Sequence, residues 1–141
     1  MKRLAVDAEL AIESRVAEIA RARAWVSEQA RAAGFPDQTV SQLGLVVSEA
    51  CANVIKHAYH GAPGHPIDLH LAVDDTKLVL SIRDVGAKID LNAYEPPDLD
   101  EAHEGGYGIF IMRSLMDEMH YDTSSDRGTT LTLVKYRPAG S

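Results

Sequence analysis

The segment SEACANVIKHAY, residues 48–59, sets an acid, an amide and two basic side chains in an apolar background. Residues four apart share one face of a helix. Glu49, Asn53 and His57, with Lys56 beside them, are therefore expected to project together. A carboxylate can take the proton of an attacking hydroxyl or water. An amide oxygen one turn further on can hold a hard cation such as Mg²⁺, which prefers oxygen ligands and keeps several waters. Lys56 and His57 can meet phosphate oxygens. The same pattern also suits the solvated face of an amphipathic helix, so this stretch alone leaves both readings open.

Two further stretches carry chemistry. Asp84-Val85-Gly86-Ala87-Lys88 closes an expected strand. A carboxylate there can accept a hydrogen bond from an exocyclic amine such as that of adenine, and Gly86 would let the backbone approach a flat ring. A plain strand-ending turn reads the same way. Gly105-Gly106-Tyr107-Gly108-Ile109 precedes an expected helix. Glycines entering a helix N-terminus expose N–H groups to an anion, with the helix dipole adding to the attraction. The alternative is a flexible hinge. The order lacks the Gly-Lys-Ser/Thr of a P-loop and does not follow a first parallel strand as a Rossmann turn does.

The elements that would position these residues follow from periodicity. Residues 2–6 read as a short edge strand. Ile12, Val16, Ile19, Val26, Ala30 and Ala33 recur at helical spacing, with Arg15, Arg21, Arg23, Arg31, Glu18 and Glu28 mostly outside that stripe, and Gly34 suits a C-terminal cap. Pro36-Asp37 opens a second helix, whose buried face is Leu43, Val46, Val47, Ala50, Val54 and Ala58. Residues 67–73 and 78–83 alternate apolar and polar around an Asp74-Asp75 turn and predict a hairpin. Residues 90–106 read as a long acidic loop, 109–117 as a short helix, and 118–123 and 129–136 as two closing strands. The sum is an α+β two-layer sandwich: a mixed, mostly antiparallel sheet with helices on one face.

With 141 residues the chain suits one domain, 1–141. A net charge of −7 argues against direct binding of nucleic acid or an anionic membrane and mildly favours basic partners. Cys51 is the sole cysteine, which excludes an internal disulfide and a Cys-based metal site, and it reads as core packing. A cytoplasmic location is the expectation, with no run long enough to span a bilayer. His57, His60, His65 and His70 lack the carboxylate or cysteine framework of a zinc site.

Taken in order, SEACANVIKHAY, IRDVGAKID, GGYGIFIMRSLMDEM and GTTLTLVK resemble the N-box, the two glycine boxes and the closing strand of the Bergerat-fold (GHKL) ATPases, a group that includes histidine-kinase catalytic domains, gyrase and MutL. Within that group the chain looks like the short anti-sigma factor serine kinases of bacterial partner-switching systems, of RsbW and SpoIIAB type. The resemblance covers about residues 3–136. It implies ATP/ADP and Mg²⁺ as ligands. Glu49 matches the general base and Asn53 the Mg²⁺ ligand. Lys56 and His57 match phosphate-side positions, and Asp84, with Gly86, matches the adenine-recognising acid. Gly106 and Gly108, around Tyr107 and Ile109, match the glycines framing the phosphates. Thr129 or Thr130 matches the threonine beside adenine, and residues 91–105 match the ATP lid. The implied reaction transfers the γ-phosphoryl group to a serine of a STAS-domain anti-anti-sigma partner. A sigma factor as second partner and a homodimer are implied as well.

Two departures accompany the resemblance. Lys88 stands where the first glycine box has a small residue. The lid region carries Glu95, Asp98, Asp100, Glu101 and Glu104 and no Lys or Arg, whereas phosphoryl transfer wants cations near the developing charge. Arg113, Lys56, Lys88 and Mg²⁺ remain to supply it. A nucleotide-binding module that sequesters its partner without turnover is the alternative to a kinase.

Overall fold

A computed structural model describes residues 5–88 and 107–138. The elements run β1 (Val6–Glu13), α1 (Val16–Ala32), α2 (Asp37–Asn53), a single π-helical turn (Val54–Ala58), β2 (Pro66–Val73), β3 (Lys77–Asp84), α3 (Tyr107–Leu115), β4 (Glu118–Asp122) and β5 (Thr130–Tyr136). The sheet order is β1-β2-β3-β5-β4, and every pairing is antiparallel. The expected α+β class holds, while the mixed sheet resolves to an antiparallel one among the described residues.

Alternation fixes which side of the sheet faces the helices. Ile67, Leu69, Leu71 and Val73 of β2 are buried and pair in register with Asp84, Ile82, Leu80 and Leu78 of β3, while Asp68, His70 and Arg83 point to the other side. The helices cover that buried face. α2 lies between α1 and α3 and packs against both, which explains why Val40, Leu43, Val46, Val47, Ala50 and Cys51 are all buried on it.

The first element departs from the sequence expectation. β1 spans Val6–Glu13 rather than residues 2–6, of which residues 2–4 lie outside the described part. Val6-Asp7-Ala8-Glu9-Leu10-Ala11-Ile12-Glu13 alternates with the period of a strand, and β2 supplies its hydrogen-bonded neighbour. Ile12 fits both the strand period and the helical stripe and belongs to the strand. Val16, expected on the buried stripe, opens α1 at 79% exposure. No helix among the described residues is long and apolar enough to cross a membrane.

At the far end of the sheet, Arg137 ties three parts together. Its guanidinium donates to the carbonyls of Ala33 (2.9 Å) and Asp74 (3.0 Å) and lies over the Phe35 ring, 4.8 Å from its centre.

Candidate functional site

α2 delivers the first pair of residues. Glu49 and Asn53 are one turn apart and half-buried. α3 begins directly above them: a Cβ added at Gly108 would lie 3.1 Å from Glu49 Oε2 and 3.1 Å from the Asn53 amide. Any side chain at position 108 would therefore press on the acid and the amide. The glycine lets the first turn of α3, with its outward-pointing N–H groups, sit against both. Tyr107 starts that helix, while Ile109 turns inward and joins the core.

The π-turn then decides which basic residue faces the site. A turn closed by i→i+5 hydrogen bonds rotates each successive side chain less than a regular helix does. His57 thus stays over Asn53, and Lys56 falls to the side. His57 lines a recess with Ala50, Asn53, Val54 and Ala58 from below. Lys56 instead lines a separate open groove with Val16, Ile19, Ile55 and His60. The expected foursome is a threesome. Burial, followed by the charges of Lys56 and His60, lowers the pKa of His57.

The sheet provides the opposite wall: Ile82, Asp84, Ala87, Tyr121, Thr129 and Leu131. Asp84 is 5% exposed. Its Oδ1 accepts the Gly86 N–H at 3.0 Å, and its carboxylate also accepts the Thr129 N–H. Burial raises its pKa, and those two N–H groups and Arg83 pull the other way. The backbone brings Asp84 and Thr129 together as well, through the Asp84 N–H to Thr129 carbonyl bond of 3.0 Å. Of the two threonines only Thr129 faces the recess. The Thr130 hydroxyl takes a hydrogen bond from Arg83 (3.0 Å) on the far side of the sheet, as strand alternation requires.

Two glycines owe their place to backbone contact. At Gly86 a Cβ would overlap the Ala58 carbonyl, which accepts the Ala87 N–H at 2.8 Å. That close approach joins the end of β3 to the π-turn, so Gly86 shapes the wall of the recess. Gly128, at φ +76°, lies so near the Asp84 carbonyl that a Cβ would overlap it. Tyr59 adds a polar clamp. Its hydroxyl donates to the Pro66 carbonyl at 2.5 Å and accepts the Val85 N–H at 3.0 Å.

Lys88 is exposed just beyond Ala87. Gly106 and the lid region, 91–105, lie outside the described residues. Tyr121, Ile82 and Leu131 escaped the sequence reading. All three follow from strand alternation once the β4 and β5 pairing is known, with Tyr121 opposite Leu131. The arrangement is a recess with a buried carboxylate on its floor, leading past Asn53 to an acid under a helix N-terminus. Such a site can hold a flat amine-bearing ring at one end and an anion at the other.

The Arg-rich face of α1 is partly neutralised within the chain: Arg15 pairs with Glu13 (3.3 Å), Arg21 with Glu18 (3.5 Å), and Arg23 lies across Gly44 of α2.

The family model for the histidine kinase-like ATPase domain matches residues 12–135. Among curated proteins, the serine-protein kinase RsbW of Bacillus velezensis is 30% identical over 122 residues, covering 81% of this chain and 75% of that protein. The protein of the same name from Listeria monocytogenes is 32% identical over 124 residues, covering 81% and 76%. That from Bacillus subtilis is 28% identical over 144 residues, covering 96% and 89%. With the family match reaching from β1 into β5, and so across every wall of the recess, this chain belongs to the histidine kinase-like ATPase domain family and is similar over most of its length to serine-protein kinases within it.

Proposed function

We propose that this single-domain protein, 1–141, is an ATP-dependent protein-serine kinase and anti-sigma factor of a bacterial partner-switching system. It acts in the cytoplasm as a homodimer, phosphorylates a serine on a STAS-domain anti-anti-sigma partner and holds a sigma factor when that partner is modified. The observation that carries the reading is the meeting of Glu49, Asn53 and Gly108 at the mouth of the Asp84 recess. The names of the relatives support serine as the acceptor.

In this reading Asp84 accepts the exocyclic amine of adenine and Thr129 borders the ring. The N-terminus of α3, with Gly106, Tyr107 and Gly108, faces the phosphates, and His57 and Lys88 flank them. Glu49 takes the proton of the attacking serine hydroxyl, whose oxygen bonds to the γ-phosphorus as the bond to the β–γ bridging oxygen breaks and ADP departs. The new phosphate places charge on the partner and weakens its complex with the kinase.

The oxygens of Asn53 and Glu49 side by side suit a hard cation. Among the described residues no group of three His, Cys, Asp or Glu side chains could hold a metal alone. This suits Mg²⁺, which takes one or two protein oxygens and completes its shell with waters and phosphates. Bound there, Mg²⁺ would neutralise charge on the phosphates, and Asn53 would orient it.

Titration calorimetry with Mg·ATP and ADP tests the site. Asn53→Ala is expected to weaken Mg·ATP binding tenfold or more. Unchanged affinity would remove Asn53 from the metal role. A second reading, a nucleotide-gated sequestering module without turnover, draws on the absence of Lys and Arg from residues 91–105 and on Lys56 lining a different groove. Tight Mg·ATP binding without serine labelling of any STAS protein would favour it.

A further inference from the structure

β2 and β3 pair in register as far as Ile67 and Asp84. One step further the ladder would set Pro66 against Val85. Pro66 has no N–H to give. The Val85 N–H still points at β2, because its neighbour Asp84 gives its own N–H to the Thr129 carbonyl on the other side. The Tyr59 hydroxyl fills this break. It accepts the Val85 N–H at 3.0 Å and donates to the Pro66 carbonyl at 2.5 Å, so a side chain stands where a ladder bond would run.

Tyr59 is itself held in place. It is 7% exposed, and its ring stacks on that of His65, with centres 4.8 Å apart and planes at 18°. It follows Ala58, whose carbonyl accepts the Ala87 N–H at 2.8 Å. The Gly86 N–H goes to Asp84 Oδ1. Each of the three N–H groups after Asp84 thus has a partner, and two of those partners belong to the end of the π-turn. The backbone that aims the Asp84 carboxylate into the recess is anchored from outside it, since Tyr59 does not line the recess.

We propose that the Tyr59 hydroxyl is a positioning group for the nucleobase: by anchoring Val85 it sets the angle at which the Asp84 carboxylate meets the amine edge of the base. This rests on the nucleotide reading above and adds a residue to it. A hydrogen bond weakens steeply as it bends, so a small turn of the backbone after Asp84 is felt at the amine.

The test compares two nucleotides on the full chain: Mg·ATP, and Mg²⁺ with purine riboside triphosphate, which keeps the ring and lacks the amine. Tyr59→Phe keeps the buried ring and removes only the hydroxyl. By calorimetry, Tyr59→Phe is expected to bind Mg·ATP about tenfold more weakly than the wild type, and purine riboside triphosphate within about twofold of it. An equal loss for both nucleotides, the mark of a merely structural clamp, would overturn the proposal, as would unchanged Mg·ATP affinity. A second measurement needs no variant. In wild-type protein without nucleotide, the Val85 N–H should exchange with solvent at least about a hundredfold more slowly than in an unstructured chain, by NMR. Exchange at the unstructured rate would mean that Tyr59 anchors nothing and would also overturn it. Failure of the wild type to bind Mg·ATP at all would instead sink the nucleotide reading itself, and equal wild-type affinity for the two nucleotides would sink its Asp84–amine contact.

Discussion

Asp84 is a carboxyl kept buried at a cost, and the proposed function gives that cost a purpose in recognising the amine edge of the base. Burial holds its carboxyl above the usual carboxylate range, against the pull of the Gly86 and Thr129 N–H groups. A folded pKa above the unfolded one means that the folded state binds the proton more tightly. The stability Asp84 lends is therefore fully present below its unfolded pKa and is lost as pH rises through its folded pKa. The thermal midpoint of the wild type minus that of Asp84→Asn should fall as pH is raised from about 4 through the carboxylate range. A difference that grows with pH would contradict the burial argument. Asp84, Glu49 and Asn53 were legible in the sequence because strand ends and helical spacing fix their directions. Lys56 was not, because a π-turn has no clear signature in residue types and shifts the facing side chain by part of a turn. Tyr121 was not, because its neighbours come from distant strands.

At the level of elements, the site depends on three backbone approaches: α3 on α2 at Gly108, β3 on the π-turn at Gly86, and the loop before β5 on β3 at Gly128. The last is the tightest constraint, since Gly128 combines φ +76° with direct contact to the Asp84 carbonyl. Gly128→Ala should cost about 2–5 kcal/mol in urea unfolding, from backbone strain and overlap together. A cost within 0.5 kcal/mol, the ordinary range of a surface change, would mean that the loop is free to move away. The glycines could be picked out in the sequence, but the reasons for Gly86 and Gly128 could not. A glycine that packs on a carbonyl and one that approaches a ligand look alike until the neighbour is known. The hairpin of β2 and β3 was legible from alternation. β1 was misread because Ile12 satisfied two periods at once, and the choice between them rests on pairing with β2, sixty residues away in sequence.

At the scale of the molecule, the antiparallel sheet and the helices of the described residues hold the two ends of the recess on different elements. In the proposed function the nucleobase end is sheet, and the phosphate end is helix. Arg137 closes the structure at the opposite end by joining the chain after β5 to the α1–α2 junction and to the β2–β3 turn. Arg137→Ala should lower global stability by about 2 kcal/mol, through two charge-assisted hydrogen bonds and a cation–π contact. It should leave Mg·ATP affinity unchanged, because Ala33, Phe35 and Asp74 do not line the recess. Calorimetric unfolding and nucleotide titration on the same variant check both halves. The layer arrangement was legible from the order of strand and helix patterns, and the sheet order was not, since β5 inserts between β3 and β4.

The most direct test of the kinase account compares wild type with Glu49→Gln, using γ-labelled ATP and a panel of STAS-domain proteins, with Mg·ATP affinity measured on both. The account predicts serine labelling by the wild type, near-equal nucleotide affinity, and labelling by Glu49→Gln slower by a factor on the order of a hundred or more. Labelling by Glu49→Gln at the wild-type rate would contradict it.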